Sequence, residues 1–136
     1  MTERPAAAGG PDLAAVHERL KAIFSPYRAQ LTVSKDGPDG LYLELPGHEG
    51  NPWGYVGGTR LGKRYVSFYL MGVYGAPEVL DSLSPGLRRR MQGKSCFNFT
   101  SIDEALFAEL ATVTARSVER QPELVAASLA AKPRRR

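Results

Sequence analysis

Residues 60–75 read RLGKRYVSFYLMGVYG, and this stretch decides the predicted fold. Apolar and polar residues alternate along it, which is typical of a β-strand with two different faces. One face carries Val66, Phe68 and Leu70, and the other carries Lys63, Tyr65, Ser67 and Tyr69. We therefore predict a central strand with one face in the core. The opposite face is aromatic and polar, so it must either be exposed to solvent or line a covered cavity.

The sequence on both sides of this strand predicts further strands. Residues 31–45, LTVSKDGPDGLYLEL, place two alternating runs around a turn-forming DGPDG segment, which predicts a hairpin. Another strand is predicted over residues 55–60, after the loop that contains Trp53. The last is residues 94–100, KSCFNFT, where Phe97 and Phe99 face the core and Lys94, Cys96 and Asn98 face away.

Apolar residues at helical spacing mark both ends of the chain. The first helix starts at Asp12 and stops at the Ser25-Pro26 pair. The last helix starts at a capping box of Ser101 and Glu104, and we expect it to end at Pro122. Short helices are predicted after residues 76 and 84. The predicted fold class is α+β: an antiparallel sheet of about five strands with helices packed on one face, flanked by the N- and C-terminal helices.

Length and composition predict one domain without disulfides. The chain has 136 residues, 43% of them hydrophobic, and its only cysteine is Cys96. We interpret residues 1–10 as a disordered leader, residues 11–121 as a single α+β domain and residues 122–136 as a basic, partly flexible tail. The last five residues, KPRRR, are expected to be dispensable for folding. No membrane span or signal peptide is recognisable, so we expect a cytoplasmic protein.

The net charge of +4 belongs mostly to the tail, since residues 122–136 contribute +3 of it. Residues 54–98 nevertheless hold seven basic and two acidic residues, and three of the basic ones, Arg88, Arg89 and Arg90, are consecutive. Such a run is usually a solvated helix face, and an anion site is the alternative.

No catalytic set of residues is apparent in the sequence. A thiolate at Cys96 near Lys94 would be a nucleophile, but no base stands at a recognisable spacing, so we interpret Cys96 as a buried, inert strand residue. His17 and His48 are interpreted as solvated residues, because no paired ligands accompany them. We expect neither a metal site nor a cofactor.

Several motifs in residues 53–110 resemble the YdhG-like family of domains of unknown function, which is related to frataxin-like iron chaperones. The motifs are Lys-x-Tyr-Val-Ser, Met-x-Val-Tyr, Ser-Pro-x-Leu and Gly-Lys-Ser-Cys-Phe-Asn-Phe. The resemblance implies an antiparallel sheet covered by helices, and it suggests iron delivery. Iron binding of that kind uses clustered carboxylates, whereas the first helix here mixes Asp12 and Glu18 with Arg19 and Lys21.

The predicted site is the polar face of the sheet. If residues 66–70 and 94–100 form neighbouring strands, their outward residues meet, and Trp53 and Tyr55 could wall one edge. The predicted ligand-binding set is Lys63, Tyr65, Ser67, Tyr69, Lys94, Cys96 and Asn98. We expect a non-enzymatic binding module for a small, possibly anionic ligand. The alternatives are a plain solvent-facing surface, a frataxin-like iron chaperone, or a basic adaptor for nucleic acid or protein.

Overall fold

The computed structural model describes residues 12–131 and shows an α+β fold. Its six strands form one antiparallel sheet in the order β1-β2-β3-β4-β6-β5. The strands are β1 (Thr32–Gly37), β2 (Gly40–Glu44), β3 (Tyr55–Leu61), β4 (Val66–Leu70), β5 (Met91–Gln92) and β6 (Cys96–Phe99). The helices are α1 (Leu13–Ile23), α2 (Met71–Gly75), α3 (Pro77–Asp81), α4 (Pro85–Arg88) and α5 (Glu104–Ala131). The predicted fold class is confirmed, and the additional strand is the two-residue β5.

Strand β4 lies inside the sheet between β3 and β6. Val66, Phe68 and Leu70 are fully buried, which confirms the predicted core face. The strand is shorter than predicted, because residues 62–65 form the turn from β3 and α2 begins directly after Leu70. A backbone hydrogen bond of 3.0 Å from Gly62 N to Tyr65 O closes that turn. The assignment of Lys63 and Tyr65 to the strand is therefore wrong.

Helices α1 and α5 pack on the core face of the sheet. The ring of Phe24, directly after α1, stacks on Phe68 with centroids 4.7 Å apart. Gly57 on β3 makes this approach possible, because a Cβ atom there would lie 3.1 Å from Phe24 Cζ and 2.3 Å from Tyr69 O. A side chain at this position would push the helix layer away from the sheet.

Helix α5 differs from its prediction at both ends. Asp103, rather than Ser101, is the capping residue, since its Oδ1 accepts a 3.0 Å hydrogen bond from Leu106 N. The helix then passes through Pro122 and continues to Ala131. A proline inside a helix removes one backbone hydrogen bond, and the packing of this segment offsets that loss. Val125 is buried, and Gln121 Nε2 donates to Trp53 O at 2.6 Å.

The structure tests the predicted helix end at Pro122, whereas both chain termini lie outside the residues that it describes. Helical, partly buried structure extends beyond residue 121, so the predicted helix end at Pro122 is wrong. The leader at residues 1–10 and the KPRRR segment lie outside the described residues. Within residues 12–131, no helix is long and apolar enough to cross a membrane.

His17 on α1 is buried against β3, so its interpretation as a solvated residue is wrong. Its Nε2 lies 2.7 Å from Thr59 Oγ1. Burial lowers the pKa of His17, and the charge of Lys21 lowers it further, against smaller opposing effects of Glu18 and Asp39. Because the native pKa lies below the unfolded one, folding favours the neutral ring.

We expect the free energy of unfolding to be highest above the unfolded pKa of His17, about 6.5, and to fall as the pH is lowered through and below that value. Urea denaturation of the wild type and of His17→Gln between pH 8 and pH 5 measures this dependence. These two limits lie about one and a half pH units above and below the unfolded pKa. Glutamine keeps a polar partner for Thr59 but does not titrate. His48 is present in both proteins, so parallel pH profiles would contradict the assignment.

Candidate ligand site on the outer sheet face

The outer face of the sheet, opposite α1 and α5, carries the residues that alternate with the core positions. Strand pairing aligns them in two rows. The rows are Tyr42–Gly58–Tyr69–Cys96 and Arg60–Ser67–Asn98. The structure thus brings together four residues of the predicted set: Ser67, Tyr69, Cys96 and Asn98.

Three of these four residues form a closed polar cluster with Gln92. Ser67 Oγ donates to Asn98 Oδ1 at 2.8 Å, and Asn98 Nδ2 donates to Gln92 Oε1 at 2.6 Å. Cys96 Sγ also lies 3.4 Å from Asn98 Oδ1. Burial raises the pKa of the Cys96 thiol, against the opposing hydrogen bonds of Ser67 and Tyr69. A protonated thiol is a poor nucleophile. Cys96 is only half-buried, so its interpretation as a buried residue is wrong.

The other three predicted site residues lie away from this cluster. Lys63 and Tyr65 belong to the β3–β4 turn, where strand alternation does not apply. Lys94 belongs to the β5–β6 turn, and its Nζ lies 5.8 Å from the ring centroid of Tyr74. Trp53 does not wall the outer face, since it stacks on Tyr74 with centroids 5.7 Å apart and packs beside Gly75 of α2.

A concavity of the outer face lies over β2, β3 and β4 and has a volume of about 430 Å³. We call it the tyrosine cavity. The charged and aromatic side chains that line it are Lys35, Asp39, Tyr42, Tyr55, Arg60 and Tyr69. The space exists because Gly40 and Gly58 occupy outer-face positions and carry no side chain. A Cβ atom at Gly58 would lie 2.0 Å from Leu41 O, so the backbone approach itself requires glycine.

Aromatic rings form one wall of the tyrosine cavity. Tyr42 and Tyr55 stack with centroids 4.3 Å apart, and Tyr42 is 41% exposed, which leaves ring surface open to a ligand. Burial raises the pKa of Tyr55 far above its usual range, with a further contribution from Tyr42 and Tyr69. The phenol therefore stays neutral at physiological pH and can donate a hydrogen bond. Such rings stack on planar groups.

The charge of the tyrosine cavity comes from Arg60. Lys35 Nζ lies 3.6 Å from Asp39 Oδ1, so these two charges offset each other. Arg60 is exposed and forms no ion pair with another residue of the described range 12–131. An unpaired guanidinium beside aromatic rings suits a ligand that combines a planar ring with a negative charge.

Sequence reasoning included Tyr69 in the site but missed Lys35, Tyr42 and Arg60. The alternation of residues 41–45 places Tyr42 on the outward side of its strand, and this was the available signal. What the sequence does not reveal is that Gly58 separates Tyr42 from Tyr69 in one row.

Comparison of the chain with family models, with curated proteins and with solved structures finds no match. The YdhG-like resemblance therefore stays a prediction from sequence motifs. Among residues 12–131, no group of three or more His, Cys, Asp or Glu side chains is placed to hold a metal ion.

Proposed function

We propose that the chain is a non-enzymatic binding module whose tyrosine cavity takes a small ligand with a planar ring and a negatively charged group. The observation that carries this proposal is that one cavity holds the stacked Tyr42–Tyr55 pair together with Arg60, which forms no ion pair within residues 12–131. The rings supply stacking surface, and Arg60 supplies charge-assisted hydrogen bonds. Beside the cavity, the polar cluster of Ser67, Gln92, Cys96 and Asn98 connects β4, β5 and β6.

The basic adaptor remains the second candidate, with weaker support from the arginine run. The Arg88 guanidinium donates to Leu80 O at 2.9 Å, and its Nη2 lies 3.8 Å from Asp81 Oδ1. Arg88 is therefore already paired with groups of the same chain. Arg89 and Arg90 line a separate depression beside Asp103, whose carboxylate reduces the attraction for an anion. The tyrosine cavity combines two recognition features, whereas this depression offers only charge.

Phenyl phosphate tests the proposed function, because it joins a ring to an anion. We expect it to bind more tightly than phenol or inorganic phosphate, and to shift the backbone amide resonances of Gly40, Gly58 and Arg60 in NMR titrations. Arg60→Gln should weaken its binding about tenfold, the effect of losing one charge-assisted hydrogen bond.

Arg116→Gln is the matched control, because Arg116 is an exposed arginine on α5, on the other side of the sheet. This control should bind phenyl phosphate as the wild type does. Shifts that cluster elsewhere, or equal losses in both variants, would contradict the site.

A further inference from the structure

A second, smaller cavity adjoins the tyrosine cavity at Arg60. It lies at the β3–β4 turn, has a volume of about 210 Å³ and is lined by Arg60, Gly62, Lys63, Arg64 and Tyr65. We call it the turn cavity. Arg60 lines both cavities, so the two cavities meet at this residue. A ligand that contacts Arg60 therefore has both cavities beside it.

The turn cavity concentrates positive charge. Arg60, Lys63 and Arg64 are all exposed, and none of them pairs with a carboxylate elsewhere in residues 12–131. Its lining includes no acidic residue. Three cations around a small concavity match the charge and oxygen-rich surface of a phosphate group.

The spacing of the two cavities selects the shape of the ligand. Gly58 belongs to the row of tyrosines, and Arg60 follows it by two residues on β3. Their Cα atoms are therefore about 7 Å apart along the extended strand. The cations of the turn lie farther still, beyond Leu61. A ligand that uses both cavities needs a spacer between its ring and its anion, and phenyl phosphate has none.

We propose that the ligand is a nucleotide, with its base on the tyrosines and its phosphate among Arg60, Lys63 and Arg64. This inference rests on the proposed function, since the ring site is the same tyrosine cavity. The sugar of a nucleotide is the spacer that the geometry requires. Aromatic stacking combined with a cationic path is also how proteins hold the bases and backbone of single strands. A free nucleotide and a nucleotide within a single strand share this chemistry.

The test compares thymidine 5′-monophosphate with phenyl phosphate on the double variant Lys63→Gln/Arg64→Gln. We expect this variant to lose about tenfold in affinity for thymidine monophosphate at low salt, because two charges leave the phosphate site. Its affinity for phenyl phosphate should fall by much less, because the ring of that ligand holds its phosphate at Arg60, away from the two removed charges. Thymidine, which lacks the phosphate, should bind more weakly than the monophosphate to the wild type.

The outcomes separate the two proposals. Unchanged binding of thymidine monophosphate by the double variant, or equal binding of thymidine and its monophosphate, would overturn the nucleotide inference while phenyl phosphate binding still supports the cavity. A decamer of thymidylate identifies the source of the nucleotide. Tighter binding than the monophosphate, lost steeply with salt, indicates a single strand, and equal binding indicates a free nucleotide. The basic C-terminal segment is present in both the wild type and the double variant, so a difference between these two proteins in decamer binding reports on the sheet.

Discussion

Phe68→Ala is expected to lower the free energy of unfolding by about 3–5 kcal/mol, the usual cost of removing a buried phenylalanine. Phe68 is fully buried in β4, where it stacks on Phe24 at 4.7 Å and lies opposite Thr59 and Phe97 on the neighbouring strands. Its removal leaves a cavity between the sheet and the helix layer. Urea denaturation monitored by circular dichroism measures the loss.

Tyr65→Ala is the matched control, since it removes an aromatic ring of similar size three residues before Phe68. Tyr65 is 38% exposed in the β3–β4 turn, and we expect its loss to cost less than about 1 kcal/mol. Comparable losses in the two variants would show that β4 does not occupy the centre of the core.

Truncation after Gln121 is expected to destabilise the protein by about 2–3 kcal/mol, the value of burying one aliphatic side chain and part of another. Val125 is buried. The Leu124 side chain packs against Gly75 so closely that a Cβ atom on Gly75 would lie 2.9 Å from Leu124 Cδ1. The same cut also ends the helix at Gln121, whose side chain ties α5 to the start of β3. Thermal denaturation should show a lower midpoint.

Truncation after Ala131 serves as the control, because it removes only the KPRRR segment. The apolar residues of α5 stay in place, so we expect the midpoint to match that of the full chain. The sequence-based expectation that the segment is dispensable is tested directly by this comparison. A midpoint equal to that of the full chain after truncation at Gln121 would contradict the role of Val125 in the core.

The sequence by itself determined the faces of the strands. Alternation has a period of two that depends only on the local backbone, so the burial of Val66, Phe68 and Leu70 was readable before any pairing was known. The β1–β2 hairpin was also local, since its turn residues lie between the two runs that pair. The same alternation gave the outward side of Ser67 and Tyr69 on one strand and of Cys96 and Asn98 on another, but their meeting on one face required the pairing of β4 with β6.

Only the tertiary structure decided which residues line the tyrosine cavity and where α5 ends. Tyr42, Gly58 and Tyr69 come from three strands, and the pairing of β2 with β3 includes an irregularity after Leu43 that no local pattern announces. Register between strands depends on the packing of whole faces, which the sequence of one strand does not contain. Pro122 likewise favours a helix end locally, but the burial of Val125 stabilises a continuing helix. In both cases contacts distant in sequence outweigh the local preference.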